Sequence, residues 1–231
     1  MSFFSFLNNP PYVAIIGDIV KSKKLDERND VQKKLQQILE DINTKYYDKI
    51  ASKFMITLGD EFQGLLKYGD CVINIINELE TRLFPVEIRF GIGVGEIYTD
   101  INPNLPLGAD GPAYYNARKM IEDLKKMSTK TKTGKPNIRI ASQGDNAHTD
   151  LLLNAIFLLS STIKHKWSKR QREMIIAYSE SDSNQTRAAQ NLGIKQSSVN
   201  KGLANAGYYS YINALEAASK ALSEIKEKKN I

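Results

Sequence analysis

Residues 54–67 read FMITLGDEFQGLLK: two short runs of apolar, aromatic and β-branched residues on either side of Gly59-Asp60-Glu61. That composition around a Gly-Asp pair predicts a β-hairpin, with strands at 54–58 and 62–67. Upstream, YVAIIGDIV (12–20) is a continuous apolar run that reads as a buried strand ending near Asp18. Between them Val31, Leu35, Ile38, Leu39 and Ile42 recur at helical spacing and place a helix over 25–47. Downstream, Val72, Ile73, Ile76 and Leu79 set a helix over 70–83. VEIRFGIGVGEIY (86–98) reads as a long strand with glycine at 91, 93 and 95. A helix over 112–126 and a last strand, NIRIA (137–141), complete the series. The order is β-α-β-β-α-β-α-β, and its first six elements match the ferredoxin-like split βαβ arrangement.

That arrangement has a chemical consequence. Its first two strands run parallel with the third antiparallel between them, so the hairpin turn lies where strand 1 exits the sheet. Asp18 and Asp60 are therefore expected to face each other at one sheet edge. Two such carboxylates, with the Ile19 carbonyl as a further oxygen, suit Mg²⁺ or Mn²⁺, which take oxygen ligands and substrate phosphates. In two-metal enzymes such pairs activate a hydroxyl and neutralise a polyphosphate leaving group. Either residue alone is equally an ordinary strand-end or turn aspartate. Glu61 is a third candidate ligand that strand alternation would turn away. The glycines at 91, 93 and 95 lie inside a strand, with Glu96 where a dinucleotide fingerprint needs its last glycine. They mark a close approach by a helix, a second subunit or a purine ring. No Walker A sequence and no Ser/His/Asp or Cys/His constellation occurs, and Cys71, on an apolar helical face, reads as core.

Composition sets the class. The chain has 231 residues, 42% apolar and 25% charged, which excludes wholesale disorder, a collagen-like rod and a disulfide scaffold. A lone cysteine fits a reducing compartment, and no apolar run is long enough for a transmembrane helix, so a soluble cytoplasmic protein with no membrane partner is expected. Charge is uneven. Residues 1–160 carry 20 Lys/Arg and 20 Asp/Glu, whereas 161–231 carry 12 and 6 and so hold the whole net +6. A neutral body with a basic tail is the asymmetry of a nucleic-acid binder, and also of a Lys-rich solvated helical surface.

From Asp150 onward the pattern is all helix, with segments at 151–163, 168–179, 184–192, 196–206 and 209–228. The polar QGDNAHTD (143–150) reads as a linker, giving domains at 1–145 and 164–231 joined by a connecting helix within 146–163. NQTRAAQNLGIKQSSVNKGLANAG (184–207) reads as a helix-turn-helix. Asn184 caps the second helix, Ala189 permits close crossing, Gly193 makes the turn and Val199 points inward. Lys195, Gln196, Ser197, Ser198, Asn200 and Lys201 are left for the exposed face of the third helix. Gln and Asn bond adenine edges, Ser base or phosphate, and Lys phosphate, so the expected partner is double-stranded DNA. A protein–protein helical hairpin has the same outline. The fold class is thus α+β: a ferredoxin-like (βαββαβ-αβ) domain followed by an all-α helix-turn-helix domain.

IGDIVKS around Asp18, LGDEFQGLL around Asp60, and IRFGIGVGEI followed by GPAYYNARK resemble successive core blocks of class III nucleotide cyclases. The GDEF block is also similar to the diguanylate cyclase signature, which uses the same palm-type fold. With its C-terminal helices the whole chain looks like the SatD family of bacterial proteins. The resemblance implies that Asp18 and Asp60 fall on the metal-binding aspartates and Ile19 on the residue lending its carbonyl. It places Asn116 on the ribose-contacting asparagine. Arg118 or Lys119 would have to replace the phosphate-neutralising arginine, whose position holds Met120. Ile56 stands at the adenine-selecting lysine, and Asp110 lies near, but out of register with, the other base-selecting position. Cyclases complete their sites across a dimer, so a homodimer and a purine nucleotide ligand are expected. Two functions follow: a DNA-binding transcriptional regulator whose palm domain binds a metal-nucleotide or dimerises, or an active nucleotidyl cyclase with a DNA-binding tail.

Overall fold

The computed structural model describes residues 11–20, 28–130 and 135–225. Its first part comprises β1 (Tyr12–Ile19), α1 (Arg28–Lys45), β2 (Ile50–Leu58), β3 (Glu61–Leu66), α2 (Val72–Leu83), β4 (Ile88–Gly95), α3 (Pro112–Lys130) and β5 (Ile138–Ser142). The five strands form one sheet in the order β2-β3-β1-β4-β5. β3 is antiparallel to both β1 and β2, β1 is antiparallel to β4, and β4 pairs parallel with β5. The fold is mixed α+β.

Strand alternation assigns each sheet face its helices. Val13, Ile15, Phe62, Phe90 and Ile92 point to one side and share a core with Leu35, Ile38 and Ile42 of α1 and Ile75, Ile76 and Leu79 of α2. Ala14, Ile16 and Leu65 point to the other and pack under Ala113, Ala117 and Ile121 of α3. The glycines of β4 explain how closely α3 sits. A Cβ on Gly93 would lie 1.9 Å from the Ala113 carbonyl oxygen, and one on Gly91 would lie 2.2 Å from that of Ala117. Of the three close approaches open to these glycines, it is a helix of the same chain that they admit.

Both sheet edges are closed by an asparagine from a helix. Asn43 of α1 brackets Phe54 on β2, accepting from its N–H at 2.7 Å and donating to its carbonyl at 2.8 Å. Asn154 does the same for Ile140 on β5, at 3.0 and 2.9 Å. Pairing the edge amides in this way removes a template for strand addition.

The second part is helical: α4 (Ala147–His165), α5 (Lys169–Glu180), α6 (Gln185–Leu192), α7 (Gln196–Asn205) and α8 (Tyr208–Glu224). The segment 143–150 is a tighter connection than a polar linker suggests. α4 starts at Ala147, and Asp150 in its first turn accepts from both the N–H and the hydroxyl of Ser142, each at 2.7 Å. α8 lies against α2 and α4, and Leu215, Ala218 and Leu222 join the same buried cluster as the sheet. Cys71, at the start of α2, is buried in that cluster, as its apolar helical face predicts, and burial pushes its thiol up to about 12. The end of the helix expected over 209–228 lies partly outside the described residues, as do residues 25–27 of the first expected helix.

Candidate functional site

The end of the sheet where β1 exits carries a compact ionic row. Cross-strand register sets Asp18 directly opposite Glu61 on β3 and opposite Arg89 on β4. The α3 helix above supplies Arg118 and Lys125, two turns apart and so on one helical face. Arg89 Nη1 lies 2.9 Å from Asp18 Oδ2, and Lys125 Nζ lies 2.8 Å from Asp18 Oδ1. Arg118 Nη1 lies 2.5 Å from Glu61 Oε2. Three cations therefore face two carboxylates, and the Asp18 side chain is only 10% exposed. The hydrogen bond from Arg118 to Glu61 holds the guanidinium above its ordinary pKa against the opposing effect of burial.

This row differs in two respects from the aspartate pair expected of the sequence. The first is identity: Glu61, not Asp60, is the cross-strand neighbour of Asp18. Asp60 occupies the turn, and its carbonyl accepts from the Ile19 N–H at 3.2 Å, so the backbone does bring it to the same sheet end. The second is occupancy: each oxygen of Asp18 already faces a cation. A divalent ion would have to displace or share an oxygen with Arg89 or Lys125 and sit beside their positive charge, so this donor set does not fit Mg²⁺ or Mn²⁺ as arranged. Among the described residues no group of three or more His, Cys, Asp or Glu side chains is placed to hold a metal. Arg89 and Lys125 are the residues that pattern reading missed. Arg89 shares the period-2 register of Gly91, Gly93 and Gly95, and Lys125 follows Arg118 at two helical turns, so a signal existed for each.

The other expected site residues are placed as follows. Asn116 donates to the Val94 carbonyl at 3.2 Å and so anchors α3 to β4. Ile19 is buried in the core, and Lys119 is exposed. Ile56 packs against the α1-side core, and Asp110 accepts from the Tyr115 hydroxyl at 2.6 Å.

A second candidate surface lies on α7. The capping side chain of Asn184 accepts from the Arg187 N–H at 3.0 Å and opens α6, and Gly193, at φ 62°, closes it. Glycine is favoured there because a left-handed residue with a Cβ is strained. Trp167 braces the base of the group, donating its indole N–H to the Ala206 carbonyl at 2.7 Å. Ala188, Ala189, Val199 and Leu203 are buried between the helices. Lys195, Gln196, Ser197, Ser198, Asn200 and Lys201 are all exposed. Gln185 of α6 ties that surface together, accepting from Gln196 and donating to Asn200 at 3.4 Å and to the Tyr209 hydroxyl at 2.8 Å.

The class these observations define is an α+β sheet domain fused through a shared core to a basic five-helix tail. The chain belongs to the SatD family, whose model matches residues 12–222. No curated protein matches it in sequence. Among solved structures it is similar to a bacterial light-regulated adenylyl cyclase, at 15% identity, covering 57% of this chain and 75% of that one with a TM-score of 0.40. It is also similar to a guanylate cyclase domain from Catenaria anguillulae in complex with GTP, at 14% identity, 49% and 73% coverage and a TM-score of 0.35. A regulator of polyketide synthase expression from Bifidobacterium adolescentis aligns over 92% of this chain and 86% of its own, at 9% identity and a TM-score of 0.26. No helix among the described residues is long and apolar enough to cross a membrane.

Proposed function

We propose that this protein is a DNA-binding transcriptional regulator. In this reading α5, α6 and α7 form a helix-turn-helix, with α7 as the element that enters the major groove. The palm, with its strand order read as ferredoxin-like, is a platform for a homodimer rather than a catalyst. The observation that supports the reading is the exposure of two lysines and four hydrogen-bonding side chains along α7 and its N-cap while Val199 and Leu203 are buried. Gln196 and Asn200 have the geometry-matched amides that pair with adenine edges, and Lys195 and Lys201 have charges suited to phosphate. The uncompensated +6 of residues 161–231 adds the sequence-independent attraction that duplex binding requires.

The cyclase reading is weaker on electrostatic grounds. The Asp18 carboxylate is engaged by Arg89 and Lys125, and Arg118 by Glu61, so the carboxylate assigned to the metal and the arginine assigned to phosphate each already have an ionic partner. An arginine that neutralises the transferring phosphate is typically worth on the order of 10³–10⁵ in rate.

Two experiments test the proposal. Titration of a fluorescent duplex with purified protein should show salt-sensitive binding and a sedimenting dimer; a monomer indifferent to duplex at low salt would contradict it. Incubation with the four NTPs and Mg²⁺ or Mn²⁺, read by mass spectrometry, should yield no cyclic product. A product that disappears in Asp18→Asn would make the protein an enzyme.

A further inference from the structure

Where the sheet meets the helical tail, a cavity of about 430 Å³ opens between the α2–β4 connection (Phe84, Pro85, Val86), Arg89 of β4, and Lys164 and Arg172 at the α4–α5 corner. A smaller cavity of about 110 Å³ adjoins it toward Trp167 and Tyr211, and Glu80, Phe84, Lys164 and Arg172 line both. The larger has the volume of a small-molecule site. Its walls come from both halves of the chain.

The charges in its wall are unequally satisfied. Lys164 is ion-paired with Glu80 and also donates to Asn137, and Arg89 is paired with Asp18. Arg172 is different. Its guanidinium lies between two rings, 5.4 Å from the centroid of Phe84 and 5.6 Å from that of Trp167. One N–H donates to the Lys164 carbonyl at 2.7 Å, and no carboxylate among the described residues pairs with it. A guanidinium has five N–H donors in a rigid fork, so most of this fork is left for an acceptor that the protein does not supply. At the exposed mouth Lys135 is positive and Glu87 negative, with the His165 ring bonded to the Ser161 carbonyl, while Phe84, Pro85 and Val86 offer an apolar wall.

We propose that this cavity binds a small organic anion: a carboxylate or phosphate ester on the Arg172 fork, carried on a flat apolar body against Phe84, Pro85 and Val86. Planar, bidentate acceptors are what a ring-stacked guanidinium selects. The site does not depend on whether α7 binds DNA, because its readout is occupancy of the cavity itself.

The probe 8-anilino-1-naphthalenesulfonate has the required anion and apolar rings. Trp167 is the only tryptophan in the chain, so quenching of its fluorescence reports probe bound in its neighbourhood, and loss of that quenching in Arg172→Met places the probe at this junction. A single saturable site with quenching of Trp167 is expected. Arg172→Met should weaken the probe about tenfold or more, the loss of a charge-assisted hydrogen bond. Uncharged N-phenyl-1-naphthylamine should bind wild type and variant alike. Because Arg172 also braces Trp167, Lys135→Glu at the exposed mouth is the second variant, expected to weaken the sulfonate about threefold without touching the core. Several equivalent probe sites, no quenching of Trp167, or sulfonate affinity unchanged in both variants would overturn the proposal.

Discussion

The exit end of the sheet and the exposed surface of α7 hold similar numbers of polar side chains, and the two are used in opposite ways. At the sheet end, Asp18, Glu61 and Arg89 are mostly buried; Asp18 pairs with Arg89 and Lys125, and Glu61 with Arg118, the Arg118 and Lys125 side chains being 44% and 46% exposed. On α7, Lys195, Gln196, Ser197, Ser198, Asn200 and Lys201 stand exposed above a buried Val199 and Leu203. Gln196 and Asn200 also bond internally, to Gln185, but the α7 set stands exposed to solvent whereas Asp18 and Glu61 do not. The resemblance to cyclases directs attention to the sheet end, and the physical chemistry directs it to the tail.

Breaking the seat of α3 should have the largest effect. Gly93→Val would drive a side chain into the Ala113 carbonyl, which belongs to backbone and cannot yield. A loss of about 4 kcal/mol or more, or failure to fold, is expected in urea unfolding. Loss of α3 would remove Arg118 and Lys125 from the ionic row at the same time.

The row itself comes next. Asp18→Asn leaves the mostly buried Arg89 without its carboxylate and should cost about 2 kcal/mol, less than a fully buried pair because the exposed Lys125 is solvated, measured as the shift in urea midpoint. The double variant Asp18→Leu with Arg89→Met should cost less than that single change, because it removes a buried charge pair together. If the double variant is the worse of the two, the row contributes more than mutual neutralisation. Addition of Mg²⁺ should leave the Tm of the wild type unchanged, since Asp18 has no oxygen without a cation; a clear rise in Tm would restore the metal reading.

A pH titration separates the shared core from both surfaces. Burial raises the Cys71 thiol from 9.0 to about 12 and lifts the Tyr114 and Tyr211 phenols above their usual value. The unfolded chain then gives up these protons first. Their stabilisation is complete below about pH 9 and is lost as pH rises through about 12. Thermal unfolding followed above pH 9 should show a falling Tm, and Cys71→Ala should lessen the fall. A Tm flat across that range would mean these groups are less enclosed than their packing indicates.

Much of this architecture was legible in advance because it rests on periodicity. Leu35, Ile38, Leu39 and Ile42 all face the core from α1, and FMITL and FQGLL pair as the hairpin. Boundaries moved where a side chain outside the pattern decides them. β2 reaches back to Ile50, and α4 starts at Ala147 because Asp150 secures it to Ser142. The site was harder to read. Proximity of Asp18 to the hairpin turn follows from topology, but whether Asp60 or its neighbour stands opposite depends on a one-residue register. The partners of Asp18 come from β4 and α3, far away in sequence, and a motif centred on GD cannot report them. The tail was more legible, because capping, turn and inward-facing residues all lie within one short stretch.

The most direct test of the account is the salt dependence of duplex binding, compared between wild type and a Lys195→Ala, Lys201→Ala double variant. Each lysine on a phosphate releases about one counterion, so the slope of log K against log salt should become shallower by about 1.8 in the variant. Equal slopes for the two proteins, or no binding to duplex at low salt, would contradict α7 as the DNA-contacting helix.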